Sequence, residues 1–262
     1  MFKAVIPARH ASMRLPGKPL LDIAGKPMVV RVAEQALKSQ ADEVLVATDH
    51  PDIEQACLAH GLDVVMTRSD WPTGTDRIAE VASIKGWGPD TVVVNVQGDE
   101  PLLDPALIDL VAKALLEGEQ DIATCGHAIH SWEEFKNPNV VKIALRQDHE
   151  ALYFSRAPIP YPRDQFTTEG NSTSTSDQAL GIRHIGLYAY TSHFLKQYQT
   201  LAPAHIEVIE SLEQLRALAN GFRIKVCMIQ NAPLPGVDTA ADLERVRELF
   251  KSRATRMGAA EK

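Results

Sequence analysis

Four cations, Lys3, Arg9, Arg14 and Lys18, stand in the first 21 residues with no Asp or Glu among them. The run PARHASMRLPGKPL adds the Ser12 hydroxyl, the flexible Gly17 backbone and the stiffening Pro16 and Pro19. A basic Gly/Pro loop after a short apolar run suits a phosphate cradle, with Arg offering forked donors and Lys a compact charge. The same composition also fits a solvated basic loop. It contains neither GxxxxGK[ST] nor GxGxxG. That sets aside a P-loop NTPase and weakens a dinucleotide oxidoreductase.

Two aspartates extend the chemistry. Asp99 follows the apolar run TVVVNV in VNVQGDEP, and Asp238 precedes a helix start in LPGVDTAADLERV. Mg²⁺ takes one or two protein carboxylates and completes its octahedron with water and substrate phosphate, which Asp99 and Asp238 fit. A turn aspartate and a residue beside an N-cap fit them as well. In TRSDWPTGTDR, Thr73, Gly74, Thr75 and Arg77 are candidates for reading a base; the alternative is a turn with Thr75 capping a helix and Arg77 solvated.

A third group lies in the second half. His184 and Tyr188 share one strand face at even spacing, opposite Ile185, Leu187 and Ala189. Glu207, Glu210 and Gln214 form a polar stripe at i, i+3 and i+7 on an expected helix over 206–220. With Arg156 for a carboxylate, this set grips a polyhydroxylated acid; a core histidine and a solvated helix face are the alternative. His127 and His130 fall on opposite faces of an expected strand and make no metal pair.

The elements that must position these residues alternate as βαβ units, predicting an α/β fold with a mainly parallel sheet. Strands are expected at 2–6, 43–48, 63–67, 91–96, 121–129, 140–146, 181–190 and 223–229. Helices are expected at about 28–38, 52–60, 76–83, 105–117, 206–220 and from a Thr239/Asp242 capping box to about Phe250. Ala157–Pro162 is a proline-rich turn, and Arg163–Ala179 a polar Thr/Ser/Gly-rich loop.

The chain has 262 residues, 27 Lys+Arg and 34 Asp+Glu, for a net charge of −7. That length buries one large α/β domain, or one with a smaller lobe. Its acidity disfavours general nucleic-acid or membrane-surface binding, so a polyanion must meet a local basic site. Cys57, Cys125 and Cys227 are odd in number and far apart, arguing against a disulfide framework or zinc ribbon. No apolar run approaches the ~18 residues of a membrane span, and MFKAVIPARH is no signal-peptide core. The expectation is a cytoplasmic protein.

The motifs PARHASMRLPGKPL, ATDH, SDWPTGTDR, NVQGDEP, NPNVVK, ALYFSRAPIP, RHIGLYAY, ESLEQLRAL and GVDTAADLERV, in order from Val5 to Val246, resemble the 3-deoxy-D-manno-octulosonate (Kdo) cytidylyltransferase family. The basic loop is shared with other sugar nucleotidylyltransferases; QGDEP, YFSRxPIP, HxGxYxY and SLEQLR in series are more specific. The resemblance implies a Rossmann-like nucleotidyltransferase fold, a homodimer, Mg²⁺ dependence, and transfer of CMP from CTP to Kdo for lipopolysaccharide. It implies one domain over 1–262, with a nucleotide-binding core at about 1–125 and 221–250. A sugar-binding and dimerisation lobe would occupy about 126–220.

Carried over by position, Arg9, Ser12, Arg14 and Lys18 would hold the CTP phosphates, and Thr73, Gly74 and Arg77 the cytosine and ribose. Asp99 and Asp238 would hold Mg²⁺ and, with Arg9 and Lys18, serve catalysis. Arg156, His184, Tyr188, Glu210, Gln214 and Gln97 would line the sugar site. His10, Met13, Thr73 and Ala240 depart from the usual Tyr, Thr or Ser, Ser, and Pro; none removes a charge from the site. A related acceptor (8-amino-Kdo, a sialic acid or a neutral sugar) and a non-catalytic nucleotide binder remain the alternatives.

Overall fold

The computed structural model describes residues 1–10, 15–163 and 179–260, with side chains described through residue 252. In order the elements are β1 (Phe2–Ala8), β2 (Asp22–Ile23), β3 (Lys26–Pro27), α1 (Met28–Ala36), β4 (Glu43–Thr48), α2 (Pro51–Leu58), β5 (Asp63–Met66) and α3 (Gly74–Ile84). Then follow β6 (Val92–Asn95), α4 (Pro105–Leu116), β7 (Ile122–Ile129), α5 (Trp132–Lys136), β8 (Lys142–Leu145) and β9 (Ala151–Ser155). The chain continues through β10 (Gly181–Thr191), α6 (Ser192–Tyr198), α7 (His205–Glu210), α8 (Gln214–Ala219), β11 (Ile224–Ile229) and α9 (Ala240–Ala260).

The sheet runs β11-β7-β10-β6-β1-β4-β5. Pairing is parallel through β6-β1-β4-β5 and between β11 and β7. β10 is antiparallel to both its neighbours and carries the β8–β9 hairpin at its start. The α/β, mainly parallel expectation holds, with β10 as the inserted antiparallel strand.

Strand alternation builds two cores. Phe2, Ala4, Ile6 and Ala8 of β1 join Val92 and Val94 of β6 against α1, α2 and α4. Val5, Val93, Tyr188 and Tyr190 face the other way, against α3, α6 and α8. Helices on both faces explain why β1 and β6 read as nearly continuous apolar runs. Each fully buried Val or Ile contributes about 1.5–3 kcal/mol.

Several elements differ from expectation. The hairpin strand β9 and the short helices α5 and α6 were not anticipated. The helix expected at 206–220 is two, α7 and α8, separated at Ser211, whose φ is 52°. Glu207, Glu210 and Gln214 are therefore no continuous stripe. Instead Arg216 makes a forked ion pair with Glu207, Nε to Oε2 at 2.9 Å and Nη2 to Oε1 at 2.7 Å. The Thr239/Asp242 capping box forms, with Asp242 N–H donating to Thr239 Oγ1 and Thr239 N–H to Asp242 Oδ2. All three cysteines are free, and burial raises their thiol pKa values.

Candidate active site

At the carboxyl edge of the sheet, the loop after β6 crosses the end of β1. Val96 N–H donates to Val5 O at 2.9 Å, and a Cβ added to Gly98 would lie 2.8 Å from Pro7 O. Only glycine allows that approach. The crossing creates a cavity of about 220 Å³ lined by Arg9, Lys18, Gly74, Gln97 and Asp99, among others. Parts of the basic loop, the α3 N-terminus and the QGD turn thus meet at the edge where open α/β sheets bind ligands. Ser12 and Arg14 lie outside the described residues.

Asp238 reaches this edge through main-chain pairing. Val237 N–H donates to Asp99 O at 2.9 Å, while the Val237 side chain is buried with Ile23, Met28 and Leu243. Lys18 Nζ then sits between two carboxylates, 2.7 Å from Asp99 Oδ2 and 3.6 Å from Asp238 Oδ1. Glu100, not singled out from sequence, adds a third carboxyl group. Burial first, then the charges of Asp99 and Asp238, raise its pKa to about 7. The carboxyl groups of Asp99, Glu100 and Asp238 concentrate negative charge here, and Lys18 lies between two of them.

Arg9 donates from Nη1 to Pro72 O at 3.1 Å, and its buried Nη2 has no partner among the described residues. Burial, then the charge of Arg77, lowers the pKa of its guanidinium. Thr73, rather than Thr75, caps α3: Asp76 N–H donates to Thr73 Oγ1, and Thr73 N–H to Asp76 Oδ2. Thr75 is buried and donates to Glu213 Oε1 at 3.1 Å. Arg77 is neither solvated nor on the cavity wall. It is fully buried, paired with Asp49 at 3.1 Å and with the Thr67 hydroxyl. Asp49, its ion-pair partner, was not singled out from sequence.

Tyr188 packs on the α3/α8 face of β10, with His184 beside it. The His184 and Tyr188 rings lie 5.3 Å apart, across the register shift between Ile185 and Tyr188 that keeps both on one face. Gln97 Nε2 donates to Gly186 O at 3.0 Å, tying the QGD turn to that bulge. Tyr188 OH, Tyr198 OH and Gln214 Nε2 are buried without partners among the described residues. Glu213 lies beside them, its pKa raised by burial. Unpaired buried polar groups are costly, and the cavity these line is only about 10 Å³. Glu213 was missed because the 206–220 pattern reads as one helix, although ESLEQLRAL contains it.

Arg156 and Glu210 meet each other rather than the Tyr188 cluster. Glu210 accepts from Ser155 Oγ at 2.6 Å and from Arg156 N–H at 2.9 Å. The Arg156 guanidinium donates to the carbonyls of Glu210 (2.8 Å), Pro138 (3.1 Å) and Ser211 (3.5 Å). This clamp explains a helix break that no Gly or Pro announces, because it satisfies carbonyls at the α7 C-terminus. Three of the five guanidinium N–H donors are engaged, leaving two without a partner among the described residues.

His184 has a consequence for acid stability. Burial lowers its pKa from 6.5 to about 3, and Nε2 lies 3.2 Å from Thr124 Oγ1. The folded protein keeps the ring neutral while the unfolded chain protonates it below pH 6.5. This contribution is therefore present above that pH and is lost as pH falls toward 3, at up to about 1.4 kcal/mol per pH unit. We expect the melting temperature of His184→Asn to fall less than that of the wild type between pH 6.5 and 5. Parallel declines in paired thermal melts would reject the assignment.

A family model described as Cytidylyltransferase matches residues 3–225. A 3-deoxy-manno-octulosonate cytidylyltransferase of Neisseria gonorrhoeae (strain NCCP11945) is 53% identical over 251 residues, spanning 96% of this chain and 98% of that protein. A relative of the same description from Neisseria meningitidis serogroup C / serotype 2a matches with the same identity and coverage. Among solved structures, a CMP:2-keto-3-deoxy-manno-octonic acid synthetase complexed with CTP superposes with a TM-score of 0.86 at 42% identity. That match covers 97% of this chain and 100% of the other.

Proposed function

The chain belongs to the 3-deoxy-manno-octulosonate cytidylyltransferase family, and from that premise we propose that it transfers CMP from CTP to the anomeric hydroxyl of Kdo, releasing diphosphate. The observation that carries this reading is the meeting of Lys18, Asp99 and Asp238 beside the 220 Å³ cavity. Beyond the Gln97–Gly186 contact lie the Tyr188 OH and Gln214 Nε2 groups, which have no partner among the described residues. We assign the CTP triphosphate to the first side and the polyhydroxylated acid to the second, where the cavity lined by Tyr188, Glu213 and Gln214 is about 10 Å³ and must widen to admit it.

The anomeric oxygen attacks the α-phosphorus, a new P–O bond forms, and the bond to the bridging oxygen of diphosphate breaks. The hydroxyl proton passes to solvent. Such transfers depend on alignment and on neutralising charge. Arg9 Nη2 and Lys18 Nζ supply positive charge where the diphosphate develops its own. The backbone of Gly74, at the first turn of α3, approaches the cavity without a side chain in the way. On the acceptor side, we assign the two Arg156 donors without a partner among the described residues to the sugar carboxylate, and Tyr188 and Gln214 to its hydroxyls. This requires the Arg156 clamp and the Tyr188 cluster to approach one ligand from separate sides.

Mg²⁺ fits the two-carboxylate donor set of Asp99 and Asp238, which already brackets a cation, rather than a closed protein cage. When bound, it would polarise the α-phosphate and lower the pKa of the attacking hydroxyl. A homodimer built on residues 126–220, a cytoplasmic location and supply of lipopolysaccharide synthesis complete the proposal, supported by the family resemblance. Among the described residues no helix is long and apolar enough to cross a membrane.

The test is diphosphate release from CTP, UTP or ATP with Kdo, 8-amino-Kdo, a sialic acid or a neutral sugar. The highest kcat/KM is expected for CTP with Kdo. Comparable kcat/KM with UTP would sink the base assignment, and no release with any acceptor would favour a nucleotide binder. Arg156→Ala should raise KM for Kdo more than KM for CTP, since a desolvated carboxylate losing its charged partner costs about 2–5 kcal/mol. Equal rises in the two KM values would displace Arg156 from the acceptor side.

A further inference from the structure

Lys142 opens β8 at the end of the NPNVVK run, and its side chain is wholly buried. It forms no ion pair among the described residues. Its Nζ donates instead to three main-chain carbonyls, those of Asn137 (3.0 Å), Val140 (2.6 Å) and Arg156 (2.5 Å). An ammonium has three N–H donors, and all are spent on backbone. Burying a cation away from a carboxylate is costly; here burial, then the Arg156 charge, lowers the lysine pKa. That expense is concentrated on one point of the chain.

The Arg156 carbonyl is the link. The rest of Arg156 grips the end of α7, through its N–H to Glu210 Oε2 and its Nε to Glu210 O. Ser211 then turns through a left-handed conformation. The turn delivers Glu213 to Thr75 and leaves the buried Gln214 Nε2 near Tyr188. Lys142 thus stands at one end of a chain of polar contacts whose other end is the acceptor side.

We propose that Lys142 is a positioning residue for the sugar acceptor: without touching substrate, it fixes Arg156 and, through it, the break that places Glu213 and Gln214. The inference rests on the acceptor-site reading above. It predicts a defect confined to the sugar, because the 220 Å³ cavity is built from β1, α3 and the QGD turn.

The test uses full-length Lys142→Met, which removes all three donors, with Lys142→Gln as a second variant should the first not fold. Dissociation constants are measured by calorimetry for CTP, and for Kdo in the presence of the non-reacting α,β-methylene CTP, beside steady-state KM values. Either folded variant should bind Kdo about tenfold or more weakly, roughly one decade per 1.4 kcal/mol, with CTP affinity within about twofold. Lys142→Met/Arg156→Ala should be no more than about threefold weaker for Kdo than Arg156→Ala alone, since groups in one network do not add independently. Equal weakening of both ligands, or multiplying losses for Kdo, would overturn the proposal. Kdo binding by a wild type that releases no diphosphate would refute the functional reading while still sorting the variants.

Discussion

Asp99→Asn and Asp238→Asn should each lower turnover by about 10²–10³-fold, by analogy with deleting one electrostatic stabiliser of a transition state. The substitution keeps size and removes a hard anionic ligand. Asp99 is partly exposed and Asp238 largely so, and both lie in loops. Each melt should therefore stay close to that of the wild type. The double variant should be little worse than the worse single one, because groups serving one centre act as a unit. Lys18 makes the effect asymmetric: it is 2.7 Å from Asp99 and 3.6 Å from Asp238, so Asp99→Asn also loosens the lysine more. Turnover across a Mg²⁺ titration, paired with melts, reads both. Near wild-type turnover in folded Asp99→Asn would leave Asp99 a turn residue.

Gly98→Ala is the second large effect. The added methyl would stand 2.8 Å from Pro7 O, a main-chain atom in the strand at the centre of the nucleotide side. Neither backbone yields without disturbing the other, so overpacking should cost about 1–3 kcal/mol of stability. The displaced turn also carries Gln97 and Asp99, so CTP binding should weaken about tenfold or more, one decade per ~1.4 kcal/mol. A lowered melting temperature with a raised KM for CTP is the expected pair. Unchanged CTP affinity in the folded variant would show that the close approach does not shape the cavity.

What was legible in the sequence follows the range of the forces involved. β4 occupies the expected residues Glu43–Thr48, and the Thr239/Asp242 box caps α9, because alternation and capping are local. The break at Ser211 was not legible. Its cause is Arg156, 55 residues away, holding carbonyls that an isolated helix would direct elsewhere. The burial of Arg77 was not legible for a related reason: a polar turn suggests solvent, but Asp49 and Thr67 supply the partners that let the guanidinium be buried. Asp99 and Asp238 were both nameable as carboxylates at element ends. Their meeting depends on the Val237–Asp99 main-chain bond, which only the folded chain reveals.

The central claim is the identity of the bond made, and ³¹P NMR of the complete reaction reads it directly. With CTP, Mg²⁺ and Kdo carrying ¹³C at its anomeric carbon, each CTP consumed should yield one inorganic diphosphate and one phosphodiester whose phosphorus is coupled to the labelled carbon. Diphosphate without the coupled phosphodiester, or orthophosphate with CDP, would contradict CMP transfer to the sugar.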